Sequence, residues 1–122
     1  NVLKQALKLM GKNRGRFIDV SSVAALGSPG QTPYASTKAG GEVLGISSGI
    51  EMAKFNRPFD LGIFRLALTD TDLVADLTPE QRGTLVELFP SRRIFTPDEA
   101  AIGITYLASL PQDENAHRLT FA

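Results

Sequence analysis

Three short apolar runs, each separated from the next by helical sequence, restrict this chain more than any other feature. They cover residues 17–20, 59–68 and 118–122. Runs of that length between turn residues read as strands, and strands joined through helices do not pair as hairpins. An α/β chain with a parallel sheet and helices packed on it follows.

The helical segments carry their own punctuation. Residues 1–12 place Val2, Leu3, Ala6, Leu7, Leu9 and Met10 at helical spacing, with Lys4, Lys8 and Lys12 on another face. Asn1 can cap that helix, and Asn13-Arg14-Gly15 supplies a stop. Thr32-Pro33 reads as an N-cap followed by proline at the first helical position. The helix it opens runs to about Asn56 through Ala35, Ala39, Val43, Ile46, Ile50 and Ala53. Thr78-Pro79-Glu80 and Thr96-Pro97-Asp98-Glu99 repeat the grammar and open helices to about Leu88 and Leu110. The stretch between Ser21 and Pro33 is rich in Ser, Gly and Pro and reads as a loop. Glycines crowd the helix of residues 34–56, and each interior one costs about 1 kcal/mol relative to alanine. Such a helix must pack closely against a neighbour.

Composition removes several classes of function. At 122 residues the chain has room for one domain. Its 13 basic and 13 acidic residues cancel, which argues against a nucleic-acid partner held by bulk charge. With no cysteine there is neither a disulfide framework nor thiol chemistry, and with only His117 there is no histidine-rich metal site. His117 is expected in an exposed loop. No apolar run approaches the ~20 residues of a spanning helix, and residues 1–12 do not read as a signal peptide. A cytoplasmic protein with no membrane partner is the expectation.

Tyr34 and Lys38 stand four apart at the start of a helix, so their side chains can meet on one face. An ammonium beside a phenol favours the phenolate, which suits the ring to general acid–base work. Ser21 stands at the carboxyl end of a strand, where open α/β sheets bind their ligands. The stretch Gly15-Arg16-Phe17-Ile18-Asp19-Val20-Ser21-Ser22-Val23-Ala24 and the stretch Gly27-Ser28-Pro29-Gly30-Gln31-Thr32-Pro33-Tyr34-Ala35-Ser36-Thr37-Lys38-Ala39-Gly40 resemble the short-chain dehydrogenase/reductase family. The likeness is nearly gap-free to about Asn56. It continues more loosely through Thr71-Asp72-Leu73, residues 99–109 and residues 118–122.

That resemblance implies an oxidoreductase acting on CH–OH and C=O groups, with NAD or NADP as cofactor; residues that choose between the two are not in this chain. It implies Tyr34 as proton donor and acceptor at the substrate oxygen. Lys38 would assist Tyr34 and hold the nicotinamide ribose hydroxyls. Ser21 would hydrogen-bond the substrate oxygen. Ser22 competes for that role, although the family spacing favours Ser21 and leaves Ser22 to cap the loop. Thr71 would contact the nicotinamide carboxamide. The family's Pro-Gly, beside the nicotinamide, falls on Leu66-Ala67. The family is about twice this length, and its glycine-rich phosphate loop has no counterpart here. Residues 1–122 would thus form the carboxyl-terminal half of a Rossmann-type doubly wound sheet, its last three strands with flanking helices. The amino-terminal dinucleotide-binding half lies outside the chain. The open edge left beside residues 17–20 implies a chain that is not a stable monomer by itself.

Other patterns carry blander meanings. Gly45-Ile46-Ser47-Ser48-Gly49 matches the serine-hydrolase Gly-x-Ser-x-Gly, but that chemistry needs a strained strand-to-helix turn and this pattern sits inside a helix. Lys4, Lys8, Lys12, Arg14 and Arg16 read as a solvated basic face, and Arg92-Arg93 as a surface turn. The rival to an enzyme is a non-catalytic relative of the family, a fragment or assembly subunit. Ala35, Ala39 and Gly49 on one side of the long helix, and Gly41, Gly45 and Ser48 on another, leave a small-residue face that the sheet cannot cover. With the helix of residues 1–12, and by likeness to the family, this implies a homodimer or homotetramer.

Overall fold

The computed structural model describes residues 1–10, 15–57, 59–111 and 117–122. Its elements run α1 (Val2–Met10), β1 (Arg16–Ser22), α2 (Thr32–Lys54), β2 (Asp60–Leu66), α3 (Pro79–Val86), α4 (Pro97–Ser109) and β3 (His117–Phe121). Short 3₁₀ turns follow β1 at Val23–Leu26 and precede α3 at Asp72–Val74. The strands form one sheet in the order β1-β2-β3, and both pairings are parallel. The α/β class and the parallel sheet read from the sequence are therefore what the chain adopts.

Strand alternation sends successive side chains of β2 to opposite faces. Phe59, Leu61 and Ile63 form the buried cluster on one face, packed by Leu3, Leu7 and Met10 of α1 and by Ile46 and Met52 of α2. Phe64 points the other way, fully buried, where α4 supplies Gly103 and β3 supplies the edge-on ring of Phe121, 5.0 Å from Phe64 between centroids. The sheet thus carries α1 and α2 on one side and α4 on the other.

The glycines of α2 have a packing reason. A Cβ on Gly45 would stand 3.1 Å from Leu61 Cδ1, and one on Gly49 3.7 Å from the Phe59 ring. Gly41, Gly45 and Gly49 lie at four-residue steps and all face the sheet. This corrects the expectation that Gly41 and Gly45 lie on a different side of the helix from Gly49.

Four further expectations shift. The N-cap of α2 is Gln31, and Thr32 lies inside the helix without capping it. The loop after β1 holds a 3₁₀ turn; Ser22 caps it as the sequence implied, its Oγ accepting the Ala24 N–H at 3.1 Å. Arg16 leaves the solvated basic face altogether. Its side chain is only 6% exposed, pairs with Asp60, and donates to the carbonyls of Leu107, Leu110 and Pro111, so it closes the carboxyl end of α4. His117 opens β3, opposite Gly62, and is not in a loop. Lys12, the Asn13-Arg14 stop and the loop at 112–115 lie outside the described residues.

The Thr-Pro grammar is borne out for α3 and α4. Thr78 with Gln81, and Thr96 with Glu99, form reciprocal capping boxes. Arg93 does not stand free: it pairs with Glu99 at 2.8 Å and lies 4.0 Å over the Phe95 ring. Gly45 to Gly49 is mid-helix, with Ser47 exposed. Among the described residues, no helix is long and apolar enough to cross a membrane.

Candidate active site

Parallel strands ending side by side leave a crevice at their carboxyl ends, because the connecting segments diverge there. Here that crevice is a cavity of about 930 Å³. Its walls are the ends of β1 and β2, the first turns of α2, the segment 68–89 and one face of α4. Ser21, Ser22, Tyr34, Lys38, Leu66, Ala67 and Thr71 all line it. The residues to which the family resemblance gives a role therefore line one cavity, although the positions span about fifty residues of chain.

Tyr34 sits in the first turn of α2 and is 45% exposed, its ring open to the cavity. One turn on, the Lys38 ammonium lies 5.8 Å from the Tyr34 ring centroid and donates to Val20 O at 3.0 Å. That bond ties the helix to the end of β1. It uses one of the three ammonium N–H groups and leaves two for a ligand's hydroxyls.

Ser21 and Ser22 diverge because the strand alternates. Ser21 is 4% exposed and faces α2. Its hydroxyl makes no bond of normal geometry among the described residues, yet it lies close enough to the Glu42 carboxylate to favour the charged form. Ser22 is half-buried, and its Oγ is an acceptor for Ala24 N–H, which leaves its own proton free.

Beneath Tyr34 and Lys38 lies a polar layer that sequence reasoning missed. Ser21 and Arg65 are register partners on β1 and β2. Glu42 of α2 descends onto them and receives both arms of the Arg65 guanidinium, Nε to Oε1 at 2.9 Å and Nη2 to Oε2 at 2.6 Å. Burial pushes the Glu42 carboxyl up. The Arg65 fork, the Ser21 hydroxyl and the charges of Arg65 and Arg118 outweigh it and hold the carboxyl below its ordinary range. Asp19, two residues before Ser21 on the same strand face, goes the other way. Burial raises its carboxyl, the Lys38 charge offsets that in part, and Glu42 adds to the rise. Asp19 Oδ2 is buried without a hydrogen-bond partner among the described residues. The available signal was a Glu at the fourth position after Lys38, which shares Lys38's helix face, and an Arg inside an apolar strand.

No family model matches the chain. Over 111 residues it is 32% identical to the 3-oxoacyl-(acyl-carrier-protein) reductase FabG of Chlamydia muridarum, covering 89% of this chain and 44% of that protein. It is 29% identical to nodulation protein G of Rhizobium sp., over 83% of this chain and 41% of the relative. The 3-hydroxyacyl-CoA dehydrogenase type-2 of Mycobacterium avium superposes with a TM-score of 0.67 at 25% identity, over 86% of this chain and 41% of that one. The chain belongs to the short-chain dehydrogenase/reductase family. Its residues match the carboxyl-terminal portion of those relatives, and it spans about two fifths of their length. The angucycline C-6 ketoreductase LanV, solved with bound NADP, shares the fold with a TM-score of 0.76 at 24% identity, over 98% of this chain and 47% of that one.

Proposed function

We propose that residues 1–122 supply the acid–base portion of an NAD(P)-dependent oxidoreductase acting on a carbonyl or alcohol. The amino-terminal, dinucleotide-cradling half of the family fold lies outside this chain. The observation that carries the reading is the pairing of Tyr34 and Lys38 on one helix face, inside the cavity at the ends of two parallel strands. Curated relatives that are reductases support it.

The residues present fit the nicotinamide end of the cofactor. Leu66 and Ala67 stand where the family has Pro-Gly, and with their side chains present the cavity measures about 930 Å³. Thr71 is exposed at the same wall and makes no cap bond, so its hydroxyl is open to a carboxamide. When bound, the nicotinamide supplies or accepts the hydride. Tyr34 Oη gives a proton to the substrate oxygen in reduction and takes it back in oxidation. Lys38 holds ribose hydroxyls with its remaining N–H groups and keeps a positive charge beside the phenol. The family spacing gives the hydrogen bond to the substrate oxygen to Ser21, whose buried hydroxyl would have to turn from Glu42 to make it. The free proton on Ser22 favours a second reading for that one role.

The test is oxidation of NADH and NADPH against a panel of ketones, with Ser21→Ala and Ser22→Ala side by side. Turnover that falls with only one of them assigns the donor. No oxidation of either cofactor with any ketone, by the chain alone or joined to the amino-terminal half of a relative, favours the non-catalytic rival.

A homodimer or homotetramer through α2 is part of the same proposal. Val43, Leu44 and Ile50 stand exposed on the side of α2 away from the sheet, an apolar surface that a second copy would cover. Gly45 cannot test this, since it packs on Leu61. Leu44→Glu should shift sedimentation toward the monomer. A native chain that is already monomeric at micromolar concentration would remove the proposal.

A further inference from the structure

We propose that the site takes an uncharged ketone or secondary alcohol whose bulk is apolar, seated against the wall built by residues 68–89. The inference rests on the oxidoreductase reading above and names its substrate class.

The polar lining of the cavity comes mainly from the end of β1 and the start of α2, with Ser21, Ser22, Gln31, Tyr34 and Lys38, and from Thr71. The segment 68–89 gives it Leu68, Leu73, Val74, Leu77, Leu85 and Phe89. Thr69 also lines it, but its hydroxyl already donates to Ala67 O at 3.3 Å.

The same segment is not short of charge. Asp70, Asp72, Asp76, Glu80, Arg82 and Glu87 all lie within it, and none lines the cavity. Two of them are engaged with each other: the Arg82 guanidinium donates to Asp70 Oδ1 at 3.0 Å and to Val74 O at 2.8 Å, while Val74 itself, 8% exposed, lines the cavity. Among the described residues Lys38 is the one charged group on the cavity, and it already bonds Val20 O. A carboxylate or phosphate on the distal part of a substrate would lose water there and gain no cation. An apolar skeleton would gain from every carbon it buries. The volume, about 930 Å³, is at the upper end of small-molecule sites, so it holds a nicotinamide ring and a sizeable skeleton together.

Two ligand series test this: methyl ketones of increasing chain length, and the matching keto acids with a terminal carboxylate. On the chain joined to the amino-terminal half of a relative, binding is read by saturation-transfer NMR, which needs no turnover, and kcat/KM is read with NADH and NADPH. Affinity should rise up to about fourfold per added methylene, and each keto acid should bind at least tenfold more weakly than the ketone of equal length. Leu77→Arg, checked for folding by circular dichroism, should narrow or reverse that gap. Affinity that is flat with chain length, or keto acids that bind as well as ketones, would overturn the proposal. Apolar ketones that bind with the expected slope but are never reduced would leave the substrate wall standing and remove the oxidoreductase reading. Turnover without the slope would do the reverse.

Discussion

Replacing Glu42 with glutamine leaves the Arg65 guanidinium charged, largely buried and without its counter-ion. The side chains of Arg65 and Glu42 are 16% and 7% exposed, so water does little to compensate. Removing one member of a buried pair costs about 3–5 kcal/mol, and the residual exposure of Arg65 puts this case near 3. Glu42→Leu with Arg65→Leu removes both charges together and should recover most of that loss. A double-mutant cycle of Glu42→Leu, Arg65→Leu and the pair, measured in urea on the chain joined to the amino-terminal half of a relative, should therefore give a coupling of about 2 kcal/mol or more. The pH dependence follows from the sign of the shift. Glu42 is held below its ordinary value in the folded chain. Its stabilisation is therefore complete above the unfolded carboxyl's pKa and fades as pH falls through the lower, folded one. Wild type should lose stability across that acid window more steeply than Glu42→Gln does. Additive single substitutions, or superimposable acid profiles, would mean that the fork between α2 and β2 does not hold the site's floor.

Asp19 carries the opposite sign. Its carboxyl is raised in the folded chain, so ionising it costs stability as pH rises past the unfolded carboxyl's pKa. Asp19→Asn should stabilise the chain at pH 7 and do so less near pH 4; equal effects at both would contradict the burial of a charged Oδ2. Gly103→Ala should destabilise by about 2 kcal/mol, because the new Cβ would stand 2.5 Å from Cζ of the fully buried Phe64 and overpacking outweighs the helix gain. Gly40→Ala, with nothing within 4 Å, should instead add up to about 1 kcal/mol; denaturation midpoints that fail to separate the two would refute the packing of α4 on β2. The chain by itself should unfold broadly rather than in one sharp transition. Its accessible surface is 7887 Å², where a compact monomer of this mass exposes about 6,400 Å².

Local chemistry was legible in the sequence wherever the determinant was local. Thr-Pro followed by Gln81 or Glu99 fixed the starts of α3 and α4, because a capping box needs only four consecutive residues. The tyrosine and lysine met because i and i+4 on a helix always share a face. Legibility failed where register decided. Glu42 meets Arg65 only because Ser21 pairs with Arg65 across the sheet, and nothing within a few residues of either encodes that pairing. Arg16 read as one of a basic run, yet its position at the start of β1 aims it at Asp60 and the end of α4. The facing of Gly45 depended on which side of α2 the sheet occupies, which composition alone cannot choose.

Tyr34→Phe is the most direct probe of the proposed chemistry. It keeps the ring that lies 5.8 Å from the Lys38 ammonium and deletes only the proton-bearing oxygen. Single-turnover reduction of a ketone by NADH or NADPH should slow by roughly 10²–10⁴-fold, with ligand binding and the circular dichroism spectrum unchanged. A Tyr34→Phe protein that reduces the same ketone at near the wild-type rate would contradict the assignment of Tyr34 as the acid.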